Sequence, residues 1–211
     1  MREIPERRTK RAPDLMGEIR RALWAGEARE VTVPLLVELA RETEEGTEPW
    51  LFAVRALASI AAEREPWRAS LLARRVLSFV PNDEVAWAAL GLAQSVSGNL
   101  RFAARCYERA IALGGADVAC LHNLGHLYDV AFGRVDDALV LLERAYAGAR
   151  KDGPRSLVAE IAASYAHALT RGGQAARALT LLERALPRGR TRAQAQLFAW
   201  IQARVETSDA R

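Results

Sequence analysis

Apolar residues recur along this chain at three- and four-residue steps, the period of helices with buried faces, and no β-branched alternating run is long enough to make a strand. The pattern predicts eleven helices at about 14–25, 32–43, 50–63, 66–79, 83–97, 100–113, 117–131, 135–148, 156–171, 174–186 and 191–205. Pro49, Pro66, Pro81 and Pro154 lie at or near predicted helix starts, where a missing N–H costs nothing. In Glu84 to Val96 the apolar residues Val85, Trp87, Leu90, Leu92 and Val96 leave few polar positions, as in a helix contacted on more than one side.

The helices repeat. At an offset of 34, Trp87, Leu90 and Gly91 fall on Leu121, Leu124 and Gly125. One inserted residue then places Gly98, Ala103, Tyr107 and Ala110 on Gly133, Ala138, Leu142 and Ala145, and a step of 40 carries these onto Gly173, Ala178, Leu182 and Ala185. Gly91 is expected to let a neighbouring backbone approach closely, and Ala103 and Ala110, seven apart, to keep the second helix thin on its packing side, with Tyr107 filling the space between. Gly98 is expected in a tight turn that Asn99 caps into the next helix.

Asp83 to Leu113 thus reads W-x-x-L-G, then Gly98, then A-x-x-x-Y-x-x-A, and in this it resembles the tetratricopeptide repeat. Asp117 to Ala147 follows the same order with Leu121 in place of tryptophan, and Ser156 to Leu186 with Tyr165-Ala166 in place of Leu-Gly after a longer linker, Gly148 to Arg155. Trp50 to Val80 keeps only Ala53, Ala56 and Leu57 at the signature places, and residues 1–48 show no match. The resemblance implies an all-α, right-handed α-solenoid of antiparallel helix pairs with N- and C-terminal capping helices. It gives one domain over 13–205, with capping helices in 14–48, repeats at 50–80, 83–113, 117–148 and 156–186, and a cap at 191–205. Leu15, Ile19, Leu23 and Trp24 are expected to turn inward at one end and Leu197, Phe198, Trp200 and Ile201 at the other, with mobile tails at 1–12 and 206–211.

Composition narrows the function. Half of the 211 residues are apolar and 27% charged, in the range of ordinary globular domains. Of the 30 Lys and Arg residues only Lys10 and Lys151 are lysine, a bias that, with abundant alanine, points to a GC-rich bacterial coding sequence rather than to a polyanionic partner. Arg and Glu alternate along the helices, as in Glu143-Arg144 and Glu183-Arg184, so nucleic acid is not the expected partner. Arg2, Arg7, Arg8, Lys10 and Arg11 are followed by no apolar run, and no stretch matches a membrane span, so a cytoplasmic location is expected. Cys106 and Cys120 lack C-x-x-C spacing and read as small buried residues. No Gly-rich phosphate loop, H-E-x-x-H, G-x-S-x-G or paired-carboxylate motif is present, so no enzyme is expected and no cofactor is implied.

The resemblance further implies that the first helix of each pair faces a concave groove. In that register Val54, Ala58, Val85, Ala88 and Leu92 form an apolar half, and His122, His126, Asp129, Glu160, His167 and Arg171 a polar half. An amphipathic helix or extended peptide of a protein partner, within a larger complex, would fit such a surface. The family's grip on a C-terminal carboxylate is missing, because Ala88 and Leu92 stand where Lys and Asn would be needed. His122 and His126 are four apart on one helix, and His126 and His167 hold the same place in successive repeats. Their convergence near Asp129 and Glu160 raises an alternative, an accessory subunit binding a small ligand or metal, although a polar groove lining without metal is the expected reading.

Overall fold

The computed structural model describes residues 6–114, 117–186 and 191–209, with side chains for 14–114, 117–186 and 191–207. Among these residues there are α-helices and no strand: α1 (Glu6–Trp24), α2 (Arg29–Glu42), α3 (Glu48–Ala61), α4 (Pro66–Phe79), α5 (Glu84–Val96), α6 (Leu100–Ala112), α7 (Val118–His126), α8 (Val135–Asp152), α9 (Arg155–Arg171), α10 (Ala175–Ala185) and α11 (Arg192–Asp209). Helix α4 has the predicted bounds, and α1 starts well before its predicted residue 14. Residues 6–12, expected as part of a mobile tail, are therefore helical, as are 206–209, while 1–5 and 210–211 lie outside the described residues. The expected linker from Gly148 is shortened, because α8 runs on to Asp152. No described helix is long and apolar enough to cross a membrane.

The chain divides into two compact units, Met1–Gly115 and Ala116–Arg211. In the first, each of α1 to α6 packs on the next, and α1, α3 and α5 also pack in a row. That row explains the composition of α3, whose buried residues Trp50, Leu51, Ala53, Val54, Leu57, Ala58 and Ala61 point to more than one neighbour. Leucines and Trp50 fill the wide gaps, whereas Ala58, Ala73 and Ala89 meet around Leu90 and Cys106, where helices approach too closely for larger side chains. Leu15, Ile19 and Ala22 form the buried edge of α1. Leu23 and Trp24, expected inward, are 39% and 92% exposed, because they rotate off that edge at the last turn. Trp87 is half-buried, its indole N–H donating to the Pro81 carbonyl at 2.9 Å.

In the second unit each of α7 to α11 packs on the next, and α9 also meets α7 and α11. Its buried residues include Leu121, Leu124, Leu142, Ile161, Leu182 and Ile201. The repeat signature has the same physical cause in both units. A Cβ on Gly91 would sit 2.8 Å from the Tyr107 ring, and one on Gly125 would sit 2.8 Å from the Leu142 side chain, so each glycine makes room for a buried side chain of the second helix. Gly98, Gly133 and Gly173 have φ of +79°, +67° and +77°, the left-handed turn that sends the chain into that second helix. Asp83 and Asp117, also 34 apart, cap α5 and α7 by accepting from the N–H of Ala86 at 2.8 Å and Cys120 at 2.5 Å. Asn99 does not cap α6 as expected; its amide donates to Gln94 Oε1 at 2.9 Å.

Candidate functional site

Helix α7 does not finish as an α-helix. Leu127–Ala131 widen into a π-turn, closed by the Phe132 N–H donating to the Leu127 carbonyl at 3.2 Å. Such one-turn bulges frequently mark functional sites. This one buries Tyr128 and Asp129, with the Arg134 guanidinium 3.9 Å from the centre of the Tyr128 ring.

Asp129 organises the face shared by α7, α9 and α11. His167 and Arg171, four apart on α9, lie on one side of that helix and both reach the Asp129 carboxylate. His167 Nδ1 donates to Oδ2 at 2.5 Å and Arg171 Nη1 to Oδ1 at 2.7 Å; the same Nη1 also donates to the Asp129 backbone carbonyl. The carboxylate side chain is 2% exposed, His167 35% and Arg171 36%. A buried anion thus fixes the orientation of two partly exposed cationic or dipolar groups, leaving the remaining guanidinium donors and His167 Nε2 for other partners. The His167 ring stacks on Trp200 of α11, with centroids 5.3 Å apart and planes at 24°. Trp200 keeps part of its surface open, and Arg204 lies 5.8 Å from its ring.

The other histidines take different roles. His122 is buried and its Nε2 shares a hydrogen bond with Ser164 Oγ at 2.9 Å. Burial, with the nearby His126 adding to it, lowers its pKa to about 4, so it stays neutral at ordinary pH. His126 is exposed at its outer edge, and the protein packed around the rest of its ring lowers its pKa too, a shift opposed by Asp129 and Glu160 and reinforced by His167. The histidines therefore lie near one another, but Nε2 of His122 and Nδ1 of His167 are already engaged. Among the described residues no group of three or more His, Cys, Asp or Glu is placed to hold a metal ion.

Of the apolar residues assigned to the groove, Val54 and Ala58 are corrected: they are 3% and 0% exposed, enclosed by Trp50, Val76 and Ala86 and by Ala73, Ala89 and Leu90. A first helix with neighbours on both sides buries even the residues that the register turned outward. Val85 is exposed and Ala88 and Leu92 are partly so, all in the first unit. In the second unit His126, Glu160 and Arg171 are exposed, His167 partly so, and His122 and Asp129 buried beneath them. Sequence reasoning missed Trp200 as a site residue, assigning it only to a cap, and missed Ser164. The π-turn was missed as well, since one helix was expected over 117–131; the inserted residue between Gly125 and Gly133 was the signal that could have revealed it. Cys106 and Cys120 are buried, and burial pushes their thiols up to about 11 and about 12, so neither is a nucleophile at neutral pH.

No protein-family profile matches the chain, and no curated protein matches it in sequence. Solved structures do. YrrB, a tetratricopeptide-repeat protein with an unusual peptide-binding site, is 19% identical with a TM-score of 0.65, over 83% of this chain and 84% of that one. MamA from Desulfovibrio magneticus RS-1 is 20% identical with a TM-score of 0.58, over 83% and 93%. The Cut9–Hcn1 hetero-tetramer of the APC/C gives 15% identity and a TM-score of 0.69, over 90% of this chain and 36% of that one. With the glycine-lock and cap positions recurring 34 residues apart and the turn glycines 35 and 40 apart, the chain is an all-α protein with the tetratricopeptide-repeat fold.

Proposed function

We propose that the chain is a non-enzymatic interaction scaffold that binds a peptide or helix of a protein partner on the exposed faces of its first helices. The observation that carries this reading is the Asp129 network. A buried carboxylate spends its hydrogen-bonding capacity on holding His167 and Arg171 in place at a surface flanked by Trp200, which suits recognition of polar peptide groups beside an apolar anchor. The occurrence of a peptide-binding site in YrrB, which shares the fold, supports the same reading. In the first unit the corresponding accessible surface is Val85, Ala88 and Leu92 on α5.

A displayed peptide library selected on the chain tests this proposal. The selected peptide should protect α7, α9 and α11 from hydrogen exchange. His126→Glu and Glu160→Lys, both at exposed positions, should weaken it at least about tenfold, or about 1.4 kcal/mol. Ala88→Glu tests the first unit in the same way, and Arg109→Glu on α6 should leave binding unchanged. Protection confined to the second helices, with His126→Glu and Glu160→Lys silent, would place the interface elsewhere and defeat the proposal.

A further inference from the structure

The opposite side of α9 carries a different chemistry. Tyr165 lies two residues from His167, a rotation of about 200° around the helix. There α8 and α10 both pack on α9 and leave a trough between them. A cavity of about 410 Å³ lined by Tyr146, Arg150, Tyr165, Arg177 and Arg184 adjoins a second of about 520 Å³, which shares Tyr146, Arg150 and Arg184 and extends to Arg155. We propose that this trough binds an acidic peptide segment of a partner protein.

Charge is the first argument. Arg150, Arg155, Arg177 and Arg184 line the trough, and among the described residues no carboxylate does. Glu143 stands at its edge, 4.0 Å from Arg177 and accepting from the Tyr165 hydroxyl at 3.3 Å. Among the described residues no carboxylate lies within ion-pair reach of Arg150, Arg155 or Arg184. These guanidiniums are forks suited to bidentate carboxylate contacts.

One helix terminus adds to the field of the guanidiniums, while the C-terminal ends of α8 and α10, at Gly153 and Ala185, oppose it. Arg155 is the first residue of α9, whose first turn contains no acidic residue and whose N-cap, Pro154, supplies no side-chain hydrogen bond. A cation at a helix N-terminus opposes the macrodipole, so the α9 N-terminus and the Arg155 guanidinium are of one sign where Arg155 borders the trough, and the four arginines carry the field against the two C-termini. An acidic segment laid there would relieve that unfavourable arrangement.

The aromatic residues favour a peptide over a nucleic acid. Tyr165 is 6% exposed, and Tyr146 packs against it with ring centroids 6.2 Å apart, while Arg150 lies 5.9 Å from the Tyr146 ring. Tyr165 offers no open face on which a base stacks, and the half-buried Tyr146 ring is tilted at 45° against it. Burial and the Glu143 charge raise the Tyr165 pKa, which keeps its hydroxyl a donor.

The test titrates the full chain with a fluorescein-labelled decapeptide of alternating Glu and Gly, its Gln counterpart, and labelled decauridylate. The Glu peptide should bind, more weakly as salt is raised, and the Gln peptide at least about tenfold less well. Arg150→Glu with Arg184→Glu should lose binding by at least about tenfold, or about 1.4 kcal/mol, while Arg105→Glu on α6 should change it less than about twofold. If charge reversal unfolds the protein, the milder Arg150→Gln, Arg184→Gln pair, checked by thermal melting, should still weaken the Glu peptide several-fold. No binding of the Glu peptide, equal binding by a folded double variant, or tighter binding of decauridylate would overturn the proposal, the last in favour of a nucleic-acid site.

Discussion

Helices α5 and α7 begin alike and end differently. Each opens on an aspartate cap, each carries the glycine that admits a side chain from the following helix, and each leads to a glycine turn. After α5 the Asn99 N–H closes the turn on the Gln94 carbonyl, five residues back, and after α9 the Gln174 N–H closes on Leu169 in the same way. After α7 the Arg134 N–H closes on Tyr128, six residues back. The extra residue between Gly125 and Gly133 is therefore absorbed locally by the π-turn, leaving the packing before it and the turn after it in register. A repeat fold tolerates an insertion there because widening one turn costs less than sliding a whole helix against its neighbours. The two ends also bury different chemistry: Gln94 bonds to neutral Ser70 and Asn99, whereas Asp129 holds a histidine and an arginine.

If the two repeats share one packing scheme, the largest effects should be matched. Tyr107, 1% exposed against Gly91, and Leu142, 0% exposed against Gly125, play the same part. Tyr107→Ala should cost ~3–5 kcal/mol and Leu142→Ala ~2–5 kcal/mol in urea unfolding. A loss below about 1 kcal/mol at either position would mean that the glycine and the facing side chain are not a packed pair, and the comparison would lose its common ground.

Where the ends differ, the effects should diverge. Arg171→Ala leaves the buried Asp129 carboxylate with His167 alone, and its cost should be about 2–3 kcal/mol, below the ~3–5 of a fully buried pair because Arg171 is partly exposed. Gln94→Leu removes neutral hydrogen bonds whose other partners can reach water and should cost about 1 kcal/mol. Restoring a neutral acceptor with Asp129→Asn in the Arg171→Ala background should recover part of the loss. Equal costs for Arg171→Ala and Gln94→Leu would show that the charged network at the π-turn contributes no more than a neutral one.

The sequence made the repetition legible because it is written in residues with few physical alternatives. Glycine at positive φ and glycine beneath a ring cannot be replaced without strain or overlap, and so the period showed. The polar face was partly legible too, since His167 and Arg171 are four apart and must share a side of α9. Spacing along one helix does not tell how far a side chain sinks between two others, which is why Val54 and Ala58 lie in the core and Asp129 lies beneath the histidine it orients. Trp200 went unassigned to the site because α11 reaches α9 through tertiary packing, which no repeat register specifies. Asn99 was misjudged because the Gln94 side chain competes for its amide. Trp24 was misjudged because a helix's last turn can carry apolar residues that nothing covers.

At the caps the two repeats should agree in kind and differ in size. Both aspartates accept an N–H from the residue three positions on, so each satisfies an otherwise unpaired donor of the first helical turn. Asp117 is exposed, and Asp117→Ala should cost about 1 kcal/mol, the ordinary loss of an N-cap. Asp83 is 5% exposed and also accepts from Arg55 Nε at 2.5 Å, so the same change leaves a half-buried guanidinium without that acceptor and should cost about 2 kcal/mol. Asp83→Ser separates the two contributions, because serine retains the cap while removing the charge that faces Arg55. Its stability should fall between wild type and Asp83→Ala. Should Asp83→Ser match wild type, the Arg55 pairing adds nothing, and the two caps are energetically the same despite their different burial.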